Sequence, residues 1–135
     1  MTKKSVIVSV LVAFVACVVA SLVGGAPYLE TPLPGGLPFG NCLVALGLCA
    51  LAVAAVVLSV RGSALRAASL VSLVGAALWL PVSIAPAGNP QLNFNGGRGS
   101  VWLALSVAVF VGACSTLLWA LGAAALAKIR GAGAA

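Results

Sequence analysis

Residues 100–127 read SVWLALSVAVFVGACSTLLWALGAAALA, a run of 28 residues without a charged side chain. A helix needs about 20 apolar residues to cross the roughly 30 Å hydrocarbon core of a bilayer. Inside lipid, every backbone polar group must find its partner within the segment, which favours an α-helix. This stretch therefore predicts a transmembrane helix that is long enough to tilt or to protrude.

Three further uncharged apolar runs precede it, at residues 5–26, 41–60 and 67–84. None of them alternates apolar and polar residues as the strands of a membrane β-barrel do. The sequence predicts an all-α integral membrane protein, a single membrane domain formed by a four-transmembrane-helix bundle. The predicted connections are two loops, 27–40 and 85–99, and a short basic turn, 61–66.

The first run also has the basic start and apolar middle of a secretory signal peptide. Its apolar stretch is longer than the usual ~7–15 residues of a signal core. Pro27 follows the best cleavage point and is unfavourable there. We therefore expect the run to be retained as a membrane anchor.

The composition excludes an ordinary soluble domain, because 63% of the residues are hydrophobic and only 6% are charged. Soluble domains carry about 25% charged residues. The basic residues behind the net charge of +6 lie at the ends of the apolar runs and do not form one cluster. We therefore expect them to set the orientation in the membrane, and we expect no nucleic-acid partner.

Basic residues are distributed unequally between the two sides of the predicted bundle. Six fall on that side: Lys3, Lys4, Arg61, Arg66, Lys128 and Arg130. Only Arg98 falls on the other, together with the single acid, Glu30. The positive-inside rule predicts that both termini and the turn are cytoplasmic and that the two loops face outward across a cell membrane. Five aromatic residues near the outer side agree with this orientation: Tyr28, Phe39, Trp79, Phe94 and Trp102.

Small residues recur every four positions in two of the runs. Such residues let helix backbones approach closely, which drives helix association in lipid. The fourth run contains Ala104, Ala108, Gly112, Thr116, Ala120 and Ala124, and the first contains Ala13, Cys17, Ser21 and Gly25. We predict that these residues are helix-packing sites. The alternative is that the spacing arises by chance in a sequence rich in small residues. The pattern does not distinguish packing within the chain from packing against a partner.

The residue types restrict the chemistry available to the chain. It has no His, one acid and one Met. The four cysteines, Cys17, Cys42, Cys49 and Cys114, form no CxxC pair, so small apolar thiols are favoured over a soft-metal site. Ion coupling usually requires an ionisable group within the membrane. We expect no enzyme activity, cofactor, metal or disulfide partner.

Apolar side chains stand out in the two predicted outer loops among prolines, glycines and asparagines: Leu33, Leu37, Phe39, Leu92 and Phe94. Exposed apolar loop residues indicate contact with another protein or with lipid headgroups. The alternating prolines stiffen the first loop and reduce the entropy lost on binding.

These features predict a small non-catalytic accessory subunit of a larger membrane protein complex of the respiratory, secretion or cell-envelope type. Its partners would be other membrane subunits and the lipid bilayer. The alternative is a self-contained small transporter or channel that forms a homo-oligomer. The bias towards Ala, Val, Leu, Gly and Arg suggests a bacterium with a GC-rich genome.

Overall fold

The computed structural model describes residues 2–132, with side chains for residues 2–130. They form four α-helices, α1 Lys3–Val23, α2 Phe39–Leu58, α3 Ala64–Ala87 and α4 Arg98–Ala132, and a 3₁₀ helix at Pro27–Glu30. Each α-helix is long and apolar enough to cross a membrane. The predicted all-α, multi-pass fold is therefore confirmed. Positions 133–135 of the terminal GAGAA stretch lie outside the described residues.

The end of α1 is set by backbone hydrogen bonds rather than by the end of the apolar run. Ala26 N–H donates to Ser21 O at 3.3 Å, and Gly25 N–H donates to Leu22 O at 3.2 Å. Gly25 has φ +59, the left-handed conformation that this type of helix ending requires. The helix stops at Val23, three residues before the predicted end.

By contrast, α3 runs past both of its prolines, Pro81 and Pro86, and beyond the predicted end at residue 84. Prolines are tolerated in membrane helices because neighbouring helices and local adjustments accommodate the lost backbone bond. The helix ends at Gly88, where φ is +68 and the N–H donates to Ile84 O at 2.9 Å.

The central helix of the bundle is α2. It packs against α1, α3, α4 and the 3₁₀ helix, whereas α1 packs mainly against α2. Alanines with no exposed surface lie within the bundle: Ala52, Ala54, Ala55, Ala76 and Ala113. Because lipid provides no hydrophobic force between helices, the close approach allowed by small side chains supplies the dispersion contacts that hold the bundle.

The connections divide the molecule into two ends. The loop end contains residues 24–38 and 88–97. Asn41 Nδ2, in the first turn of α2, donates to Pro90 O of the second loop at 3.5 Å. The turn end contains residues 59–63 and the start of α1, which share a cleft lined by Lys4 and Arg61. The basic residues predicted to lie together are thus grouped at the turn end. The side of the membrane that each end faces stays a prediction.

Candidate functional site

The small-residue stripe of α4 does not keep to one surface of the bundle. Thr116 and Ala120 are buried in the core, and Gly112 is half-buried. Ala104, Ala108 and Ala124 are exposed. A spacing of four residues advances about 40° around a helix at each step, so a stripe of six residues winds around more than half of it.

A different set of small residues shares the outer side of α4. Ala104, Ala108, Ser115 and Gly122 are all exposed, and helical geometry places them within about 40° of one another. A Cβ added at Gly122, or at Gly112 beside them, would meet nothing within 4 Å. We call these four residues the small face of α4. It lies opposite the buried Ala113 and Leu117, away from the chain's own bundle.

The predicted packing residues of α1 also lie away from its contact with α2. Ala13 and Cys17 are exposed, and Gly25 lies beyond the helix. Ser21 is half-buried and accepts a hydrogen bond from Tyr28 Oη at 2.6 Å, which ties the 3₁₀ helix to α1. Contact with α2 is made by larger residues, among them Val18, which lies against Gly47.

The first loop folds into a compact turn. Leu33 N–H donates to Leu37 O at 2.8 Å, and Gly36 N–H donates back to Leu33 O at 2.9 Å. Both leucines are half-buried. Phe39 lies edge-on to Tyr28, with ring centroids 6.2 Å apart. The three predicted contact residues of this loop are therefore held in place but keep part of their surface open.

The second loop folds back onto the helix ends. Phe94 stacks on Trp102 with ring centroids 5.0 Å apart. Leu92 packs against the core cluster around Trp79 and has φ +58, the only positive φ of a non-glycine residue in the described chain. Both side chains are half-buried, so much of their apolar surface already has a partner within the chain.

A cleft of about 340 Å³ opens between α2, α3 and α4 near the loop end and is lined by Asn41, Trp79, Trp102, Ser106 and other residues. Trp79 Nε1–H donates to Ser106 Oγ at 2.9 Å, and that hydroxyl donates to Trp102 O at 2.9 Å. The indole N–H of Trp102 is buried without a partner among the described residues. Because buried polar groups usually have partners, this donor is a notable exception.

The opposite end carries a basic cleft of about 490 Å³, lined by Lys4, Arg61 and Arg66 together with Ser59. Arg66 Nη1 donates to Val56 O at 2.9 Å, which fixes the guanidinium over the last turn of α2. An apolar groove of about 450 Å³ beside Trp119 adjoins the cleft and shares Ser59 and Val60 with it.

The four cysteines are free thiols. Within residues 2–132, no group of three or more Cys, His, Asp or Glu side chains is placed to hold a metal ion. The absence of cofactor and metal chemistry stays a prediction.

Small residues that were not predicted as packing sites also line α2. Gly40, Gly47 and Ala54 are buried and stand seven residues apart, so they share one face of the helix. Gly40 lies against Leu29, and Gly47 against Val18. The spacing of seven is the sequence signal for this face, and it differs from the spacing of four found in the first and fourth runs.

No protein-family model, curated protein or solved structure matches the chain.

Proposed function

We propose that the chain is a small non-catalytic subunit of a larger bacterial membrane protein complex. The small face of α4 would be its main contact with a transmembrane helix of a partner. The observation that carries this proposal is the exposure of Ala104, Ala108, Ser115 and Gly122 on one side of the helix.

Small side chains have a clear use at a helix–helix contact and little use against lipid. Where Ala, Ser or Gly covers the backbone, a second helix can approach closely, and dispersion and weak polar contacts then favour association. Val111, which is exposed on the same side, would pack beside such a helix. The small face extends from Ala104 to Gly122, a rise of about 27 Å at about 1.5 Å per residue. That length is close to the ~30 Å hydrocarbon core, so a partner helix could pack along most of its depth.

The loop end offers a second contact. Leu33 and Leu37 are held by their own hydrogen bonds, so little conformational freedom remains to be lost on binding. Leu92 and Phe94 contribute less free surface because they already pack against the helix ends. We therefore assign the first loop the larger share of any contact outside the bilayer.

The test compares two alanine-to-leucine variants. Ala108→Leu fills the small face, whereas Ala77→Leu makes the same change on an exposed position of α3. We expect the native chain and the Ala77 variant to copurify in mild detergent with larger, unrelated chains in fixed ratio. The affinity of the Ala108 variant for these chains should be about tenfold lower, equivalent to about 1.4 kcal/mol. Its thermal stability should be unchanged, because Ala108 is exposed in the isolated bundle.

A photo-crosslinking residue at position 108 provides a second measurement. We expect it to link the chain to an unrelated polypeptide in native membranes, with no such product from position 77. Full retention of partners by the Ala108 variant would contradict a role for the small face. Crosslinks only between copies of the chain, with solute transport by the chain alone in liposomes, would overturn the subunit proposal and favour the homo-oligomeric transporter.

A further inference from the structure

Three cations from separate parts of the chain meet at the turn end. Lys4 belongs to α1, Arg61 to the turn and Arg66 to α3, and all three line one cleft. The only acidic side chain, Glu30, lies at the loop end, about 30 Å away along the 20 residues of α2. No carboxylate side chain of this chain is therefore near enough to neutralise them.

The helix termini at the turn end carry partial charges of both signs, so the preference for an anion rests on the three side-chain cations. Both α1 and α3 begin there and contribute partial positive charge, whereas α2 and α4 end there and contribute partial negative charge. Ser63 Oγ accepts from Arg66 N–H at 3.1 Å, which fixes the first turn of α3 beside the cleft. The guanidinium of Arg66 also covers the carbonyl oxygen of Val56, one of the negative groups at the end of α2.

The adjoining groove has the opposite character. It runs between the turn and α4, and its walls include Leu65, Trp119 and Ala123. Trp119 is 58% exposed, which places a large aromatic surface at the side of the groove. Tryptophan is enriched at membrane interfaces, where an apolar body and a polar N–H are both accommodated.

We propose that the turn end binds one anionic phospholipid. Its phosphate is held by Lys4, Arg61 and Arg66, and an acyl chain lies in the groove beside Trp119. Charge complementarity selects this ligand over a zwitterionic lipid, whose headgroup would bring a further cation into a cleft that already holds three. The shared residues Ser59 and Val60 place the anionic and apolar parts of the site next to each other.

Quenching of tryptophan fluorescence by lipids with brominated acyl chains tests the proposal on the full chain in neutral detergent. Brominated phosphatidylglycerol should quench at lower concentration than brominated phosphatidylcholine. The Trp119→Phe variant should lose this difference, since the other two tryptophans lie towards the loop end. An equimolar amount of inorganic phosphate should not protect against quenching. Equal quenching by the two lipids, persistence of the difference without Trp119, or protection by phosphate would overturn the proposal.

Matched variants separate the cleft from general surface charge. Replacing Lys4 and Arg61 with Gln should raise the phosphatidylglycerol concentration for half-quenching about 25-fold, since each cation contributes about fivefold, or about 1 kcal/mol. Replacing Lys128 and Arg130 with Gln removes the same charge at the same end but outside the cleft. It should change the value less than about twofold at 0.15 M salt, where screening acts over about 8 Å. Equal effects of the two pairs would contradict a defined site.

A third pair of variants tests the groove. Ala123→Phe fills it, whereas Ala125→Phe places the same ring on an exposed part of α4 that does not line it. Only the Ala123 variant should weaken phosphatidylglycerol quenching. Equal behaviour of the two would remove the acyl chain from the proposal and overturn it.

Discussion

Removing the hydroxyl of Ser106 should destabilise the bundle by about 1–2 kcal/mol. Ser106 Oγ is the acceptor for the indole N–H of Trp79, which is only 4% exposed. Ser106→Ala leaves that donor buried and unpaired, and such a group costs about 1–3 kcal/mol. Hydrogen bonds between membrane helices measure about 0.6 kcal/mol on average and up to about 1.7, so we expect a value in the lower part of the first range.

A double-mutant cycle isolates the bond. Trp79→Phe removes the donor and keeps an aromatic ring, and the cycle with Ser106→Ala should give a coupling of about 0.6–1.7 kcal/mol. The assay is reversible unfolding of the chain in mixed micelles with increasing SDS. Ser72→Ala is the matched control, because the buried hydroxyl of Ser72 has no partner within residues 2–132 and its loss should be neutral or stabilising. A coupling near zero, or equal destabilisation by the two serine variants, would refute the reasoning.

Three further predictions follow from the contacts. Gly47→Ala should be tolerated, since its Cβ would lie 3.5 Å from Val18, whereas Gly40→Ala should cost about 1 kcal/mol because its Cβ would lie 3.3 Å from a backbone oxygen. The same SDS titration measures both, and the reverse order would contradict the packing described for α2. In a chain whose native cysteines are replaced, an impermeant maleimide should label a cysteine at Asn95 but not at Arg61 in intact cells. Labelling of position 61 alone would show that the orientation is the reverse of the predicted one. Metal analysis of the purified native chain should find less than one copper, zinc or iron ion per molecule, and a full equivalent would contradict free thiols.

The number and type of the membrane helices could be predicted from the sequence because one strong physical constraint decides them. A run without charge, such as residues 100–127, must satisfy its backbone within lipid, and the helix is the form that does so. The helix ends were less predictable. Gly25 ends α1 within an apolar run, whereas Pro81 does not end α3, because hydrogen bonds and neighbouring helices decide these points.

The candidate packing surface was only partly accessible from the sequence. Spacing of four marks neighbours over one or two turns, but from Ala104 to Ala124 it drifts about 200° around the helix. Which of these residues face the bundle depends on how α4 sits against α2 and α3. Thr116 and Ala120 face inward and Ala104 and Ala108 outward, and no local pattern distinguishes them.

The two loops show a second reason why the candidate contact surfaces could be predicted only in part from the sequence. Phe94 and Leu92 look available for a partner in the sequence, but Phe94 stacks on Trp102 and Leu92 packs near Trp79. The stacking of Phe94 joins the loop to the start of α4, whereas the contact of Leu92 depends on how the helices pack around Trp79. The left-handed backbone of Leu92 lies in a turn held by hydrogen bonds of Leu92 N–H and Asn93 N–H to Asn89, and a leucine side chain does not indicate such a conformation.

The central position of α2 has a consequence for biogenesis. Helices that enter a bilayer in chain order must each be stable with the partners already present. The first helix, α1, is the most apolar of the four and the least buried, so it can remain in lipid alone until α2 arrives. The third, α3, is the least apolar, and by the time it enters, α2 is present to receive Ala76 and Trp79. Because α2 precedes α3 and α4 in the chain and packs against both, it is already in place as the surface on which these two helices assemble.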